Sequence, residues 1–149
     1  MVETIAAELG LDDAEFAQRK TMLEFTEADI ALLRQVHAPL EQIRHEFSDS
    51  FYNHLQSFEP LRKLLPDAAT IQRLKQTQSA YFSGLTAGEY GTEYVKNRLR
   101  VGIVHQRIGL EPKWYVGAYR KYLSDLIPRL WQLCGSDADK FIATYNALL

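Results

Sequence analysis

Four histidines and eight tyrosines are the side chains of this chain best suited to chemistry, and one histidine has an unusual setting. In His105-Gln-Arg-Ile-Gly-Leu-Glu-Pro-Lys-Trp-Tyr-Val-Gly-Ala-Tyr119 an imidazole precedes a tight Gly/Pro turn, and the turn opens an aromatic-rich segment. A neutral imidazole is the commonest metal ligand among side chains. At the end of a helix it can be presented to a flat, apolar, iron-bearing cofactor. His105 shares a helical stripe with Tyr94, Arg98, Val101 and Ile108, while Val95, Leu99, Gly102 and Ile103 form a second one. A helix apolar on two faces is covered on both. Gly102 lies one turn before His105, where a missing side chain lets a planar group approach. Residue chemistry alone leaves the plainer reading open as well: a core or surface histidine with its hydrogen bonds satisfied.

Tyr52 lies beside an apolar stripe formed by Leu40, Ile43, Phe47, Phe51, His54 and Phe58. It reads either as a half-buried tyrosine with its hydroxyl at the surface or as a phenol donor aimed into a dry pocket. Thr77 and Gln78 adjoin the stripe Ile71, Leu74, Tyr81, and Gln78 fits it slightly better. Either is by default a helix-surface residue. His54 is a possible second iron ligand. No His-x-x-x-His or Glu-x-x-His pair supports zinc or di-iron, and without Cys-x-x-Cys-His any haem is held non-covalently. Neither a phosphate-binding Gly-Lys loop nor a Gly-x-Ser-x-Gly elbow is present.

The elements that must position these residues read as helices almost throughout. Residues 1–20 are weakly patterned and suit an arm or short helix. Thr26-Glu-Ala-Asp29 reads as a capping box opening a helix to about His37, and Pro39 suits the first turn of the next, to Phe58. Pro60 and Pro66 bracket a turn or short helix. Asp67 can cap a helix that ends at Gly84–Gly88, and Thr92 one that runs to about Ile108. Gly109 fits a left-handed C-terminal position. Pro112 starts a long helix to about Cys134, which Pro128 is expected to kink, and Ser136-Asp-Ala-Asp139 starts the last helix.

A net charge of −2 and a pI near 6.1 offer no footprint for nucleic acid. A chain of this length can bury roughly 68–70% of its unfolded surface in one core. Cys134 is the single cysteine, and the acidic N-terminus lacks a signal-peptide pattern, so a cytoplasmic location is expected. No apolar run approaches a membrane span.

With these residues assembled, the chain resembles the globin-coupled sensors, and in particular their haem-based aerotaxis transducers. The resemblance rests on His105 to Tyr119, on Phe51-Tyr52-Asn-His-Leu55 and on Arg73-Leu-Lys-Gln-Thr77, and spans roughly residues 20–149. It implies an all-α globin fold, a three-over-three sandwich without a D helix, with an N-terminal arm at 1–20 and the sensor domain at 21–149. It implies haem b, with His105 as proximal iron ligand and Tyr52 as donor to bound dioxygen. Thr77 would be a second distal polar group with Gln78 as rival, Leu74 and Phe51 would line the pocket, and Tyr115 would relay ligand state on the proximal side. Carbon monoxide and nitric oxide are implied as further ligands. The G helix, Pro112 to Cys134, and the H helix would join two copies in a homodimer and pass the signal to an output domain. No enzymatic activity and no membrane contact are expected of the domain itself. The last helix is shorter than a full H helix and no output segment follows, so an isolated or truncated module is expected. A haem enzyme (a nitric oxide dioxygenase or a peroxidase) and a haem-free globin-like scaffold are the alternatives.

Overall fold

The computed structural model describes residues 2–149 and contains no strand among them. The helices are α1 (Val2–Glu8), α2 (Asp13–Met22), α3 (Glu27–Gln56), α4 (Glu59–Arg62), α5 (Ala68–Gly84), α6 (Thr92–Arg107), α7 (Pro112–Leu133) and α8 (Ala138–Leu148).

The 30-residue helix α3 is the scaffold; at 1.5 Å per residue it is about 45 Å long. It packs against α4, α5, α7 and α8. Its start is the predicted capping box: the Thr26 backbone N–H and hydroxyl both donate to the Asp29 carboxylate, each at 2.7 Å. Those bonds, the hydroxyl's first, hold the Asp29 pKa below its ordinary value. The expected break at Pro39 does not occur, because α3 runs straight through it. Proline removes one backbone donor, but Ile30, Leu33, Val36, Leu40, Phe47 and Phe51 form one buried stripe on both sides of Pro39. Continuous burial outweighs the lost bond. Helix α7 likewise continues through Pro128.

The core joins Val36, Leu40, Phe47, Phe51 and Tyr52 of α3 to Phe82 of α5 and to Tyr122, Leu126 and Leu130 of α7. Helix α8 closes one side with Thr144 and Ala147 buried.

The caps position the remaining helices. Asp67 accepts the Thr70 N–H at 2.6 Å and starts α5, which ends at Gly84, short of Gly88. Thr92 is not the cap of α6. Gly91 takes that place, Thr92 is the first helical residue, and its hydroxyl donates to Asp13 at 3.0 Å. Gly109 has φ +68°, as a left-handed helix stop requires, and Pro112 opens α7. The last helix is capped by Asp137 through the Lys140 N–H at 3.0 Å. Ser136, with φ +61°, makes the turn before it.

Candidate functional site

Helix α6 carries His105 and stands apart from the main stack. Its closest backbone packing is against α1, reinforced by a 2.9 Å ion pair from Lys96 to Glu3. Towards α5 and α7 the interval is bridged by side chains. The His105 ring meets the Tyr115 ring edge-on, with centroids 5.4 Å apart. The His105 Nδ1 is buried without a hydrogen-bond partner. Burial alone pushes the imidazole pKa below its usual value, which keeps the ring neutral and a lone pair free for a metal. Gly102, one turn earlier, is exposed, and a side chain added there would meet nothing within 4 Å.

On the α3 side, Tyr52 is 7% exposed. Its ring packs edge-on against Phe51 at 5.5 Å, and Phe51 packs against Tyr122 at 5.2 Å. Burial pushes the Tyr52 phenol up to about 12, with the positive charge of Arg73 acting weakly in the opposite direction. Tyr52 therefore keeps its proton and remains a donor at neutral pH.

Along α5, Leu74 is half-buried against the core. Thr77 is exposed and its hydroxyl donates to the Arg73 carbonyl at 3.2 Å, whereas Gln78 is half-buried. His54 is exposed against Phe58, with ring centroids 5.1 Å apart. His37 bonds Thr86 at 3.0 Å, and His45 approaches Ser79 at 3.4 Å.

Between Tyr52 and His105 lies a tyrosine cluster; the sequence marks Tyr115 and Tyr81 separately, but not their joining through Tyr119 and Tyr122. The Tyr81 and Tyr119 hydroxyls are 3.2 Å apart, as are those of Tyr119 and Tyr115. Tyr81 also contacts the Tyr122 ring at 6.2 Å, and the Tyr122 hydroxyl is buried with no partner. The side chains thus run without a break from Tyr52 through Phe51, Tyr122, Tyr81, Tyr119 and Tyr115 to His105. Arg98, two turns before His105, lies over Tyr81 from the other side. Its place on the His105 stripe was the available signal.

Two surface clefts of about 240 and 350 Å³ lie elsewhere, the first at Phe16, Lys20 and Tyr90, the second at Ser50, Asp125 and Arg129. Neither includes His105. Among the described residues no group of three or more His, Cys, Asp or Glu is arranged to hold a metal ion. The imidazole with its unpaired buried nitrogen and the tyrosine ring against it fit a planar apolar group that brings its own metal.

The family description "Protoglobin" matches residues 12–149. The chain belongs to the protoglobin family. It is 36% identical over 127 residues to the heme-based aerotactic transducer HemAT of Halobacterium salinarum (strain ATCC 700922 / JCM 11081 / NRC-1), covering 85% of this chain and 26% of that protein. This protoglobin chain thus spans about a quarter of the curated relative's length. Its fold matches the globin domain of a Geobacter sulfurreducens globin-coupled sensor with a TM-score of 0.79 at 24% identity, covering 89% of this chain and 86% of that one. The fold is therefore the expected all-α globin fold.

Proposed function

We propose that this protoglobin chain is a haem-binding, dioxygen-sensing domain, with His105 as the iron ligand and Tyr52 as the donor to the bound gas. The observation that carries the reading is the buried, unpartnered Nδ1 of His105 on a helix set apart from the stack. The name of the relative, a heme-based aerotactic transducer, supports it. Haem b would supply the iron and bind dioxygen, carbon monoxide or nitric oxide reversibly. The protein would supply orientation, dryness and a hydrogen-bond donor.

Phe51 and Leu74 are proposed as walls of the pocket. On α5, Gln78 is better placed than Thr77, because Gln78 is half-buried while the Thr77 hydroxyl is bonded to its own helix. Tyr115 is proposed to relay ligand state, since it touches His105 and lies on α7.

The same helix exposes Val116 and Trp131, and α8 exposes Ile142. These side chains support a homodimer through α7 and α8 that passes the signal on without catalysis by the domain itself. The proposed domain is 21–149, with 1–20 as an arm. No helix among the described residues is long and apolar enough to cross a membrane, and a cytoplasmic location is part of the proposal.

The test is an absorption spectrum of the haem-reconstituted protein in ferric, ferrous, ferrous–O₂ and ferrous–CO forms, beside His105→Ala. A stable oxygen complex that the variant loses is the expected result. Absence of saturable haem binding, or spectra unchanged in His105→Ala, would overturn the proposal.

A further inference from the structure

Arg98 is a half-buried cation with no partner acid among the described residues. Its Nε and Nη1 are buried with no hydrogen-bond partner. Only Nη2 is engaged, donating to the Tyr81 carbonyl at 3.4 Å. The guanidinium carbon lies 3.6 Å from the Tyr81 ring centroid and 4.3 Å from that of Tyr94. Gly84 leaves room for it: a side chain there would come within 3.3 Å of Nη2. Among the described residues, no carboxylate forms an ion pair with Arg98. Arg100, also on α6, is placed differently, since it is exposed and reaches Glu93 at 4.0 Å.

Stacking between two tyrosines offsets part of the desolvation of a cation, but it gives the N–H groups no acceptor. A buried charge without a counter-charge is destabilising, and a carboxylate is the partner to which a guanidinium binds best. Arg98 precedes His105 by seven residues, which places both on one face of α6 about 10 Å apart along the axis. That is comparable with the reach from the centre of a porphyrin to the end of a propionate arm.

We propose that Arg98 binds a carboxylate of the cofactor, so that α6 grips one molecule at two points: the iron through His105 and an acid group through Arg98. The assignment rests on the haem reading above. It makes Arg98 a selector for iron porphyrins that carry free acid groups.

The experiment compares binding of ferric haem b and its dimethyl ester, which has no free carboxylate, by the wild-type apoprotein and by Arg98→Gln. A charge-assisted hydrogen bond at this site should favour the free acid about ten- to hundred-fold in the wild type. In Arg98→Gln that preference should collapse to within about threefold, and the apoprotein should melt at the same temperature or higher, because a half-buried charge with unpartnered N–H groups has been removed. Equal wild-type affinity for the two porphyrins overturns the proposal without recourse to any variant, and leaves the haem reading standing. A preference retained in Arg98→Gln also overturns it. So does a lower apoprotein melting temperature with equal losses on both porphyrins, since that marks a purely structural role. Failure of the wild type to bind either porphyrin removes the haem reading together with this one.

Discussion

Replacing Tyr52 with phenylalanine isolates one hydroxyl. Tyr52 is 7% exposed, and its ring contact with Phe51 does not involve the oxygen, so Tyr52→Phe keeps the packing and removes only the donor. Because burial pushes the phenol to about 12, the wild-type group is protonated throughout the working pH range. In a low-dielectric pocket a hydrogen bond to an atom carrying partial charge contributes about 1.5–3 kcal/mol. At 1.4 kcal/mol per factor of ten, dioxygen affinity should fall about ten- to hundred-fold in the variant, seen chiefly as faster release. Bound carbon monoxide is less polar, and its affinity should change by less than about threefold on the same argument. The assay is stopped-flow release of each gas from wild type and variant, with thermal melts to confirm that the fold is intact. Equal factors for the two gases would refute the donor role. A dioxygen change below about threefold would refute it too.

Tyr122→Phe should stabilise the apoprotein by about 1 kcal/mol, because the wild-type hydroxyl is buried without a partner; the melting temperature should rise by about 2–4 °C, and a fall would show that the hydroxyl has a partner in solution. Gly88 has φ +81°, and an added side chain would sit on that of Arg34, which donates to the Gly88 carbonyl at 2.9 Å. Gly88→Ala should therefore destabilise by about 1–2 kcal/mol in urea unfolding, and an unchanged midpoint would be evidence against that loop geometry. Burial holds the folded His105 pKa below its ordinary value of 6.5. Between the two values the unfolded chain binds more protons, so apoprotein stability should decline as pH falls below about 6.5 and through the folded pKa. In His105→Ala that part of the slope should vanish, as urea midpoints measured from pH 7.5 to 5 would reveal.

Helices with local signals were legible from the chain alone. Thr26 with Asp29, Asp67, Gly109 and Pro112 act through bonds and torsions within a few residues, so their neighbours in sequence are their physical partners. The resemblance of the His105–Tyr119 segment also pointed to the fold before any coordinates. Three features needed tertiary structure. Pro39 looked like a helix start, but stripe burial from Ile30 to Phe51 holds α3 together across it. Thr92 looked like a cap, but its hydroxyl is drawn to Asp13 on a helix that only the fold brings near. Arg98 looked like one polar member of a mixed stripe. Its stacking on Tyr81, and the lack among the described residues of an acid paired with it, emerge only when the fold brings α6 opposite α5. Helix type and capping are decided by interactions within a turn or two of the chain. Whether a polar side chain finds a partner is decided by residues far away in sequence, and no periodicity encodes that.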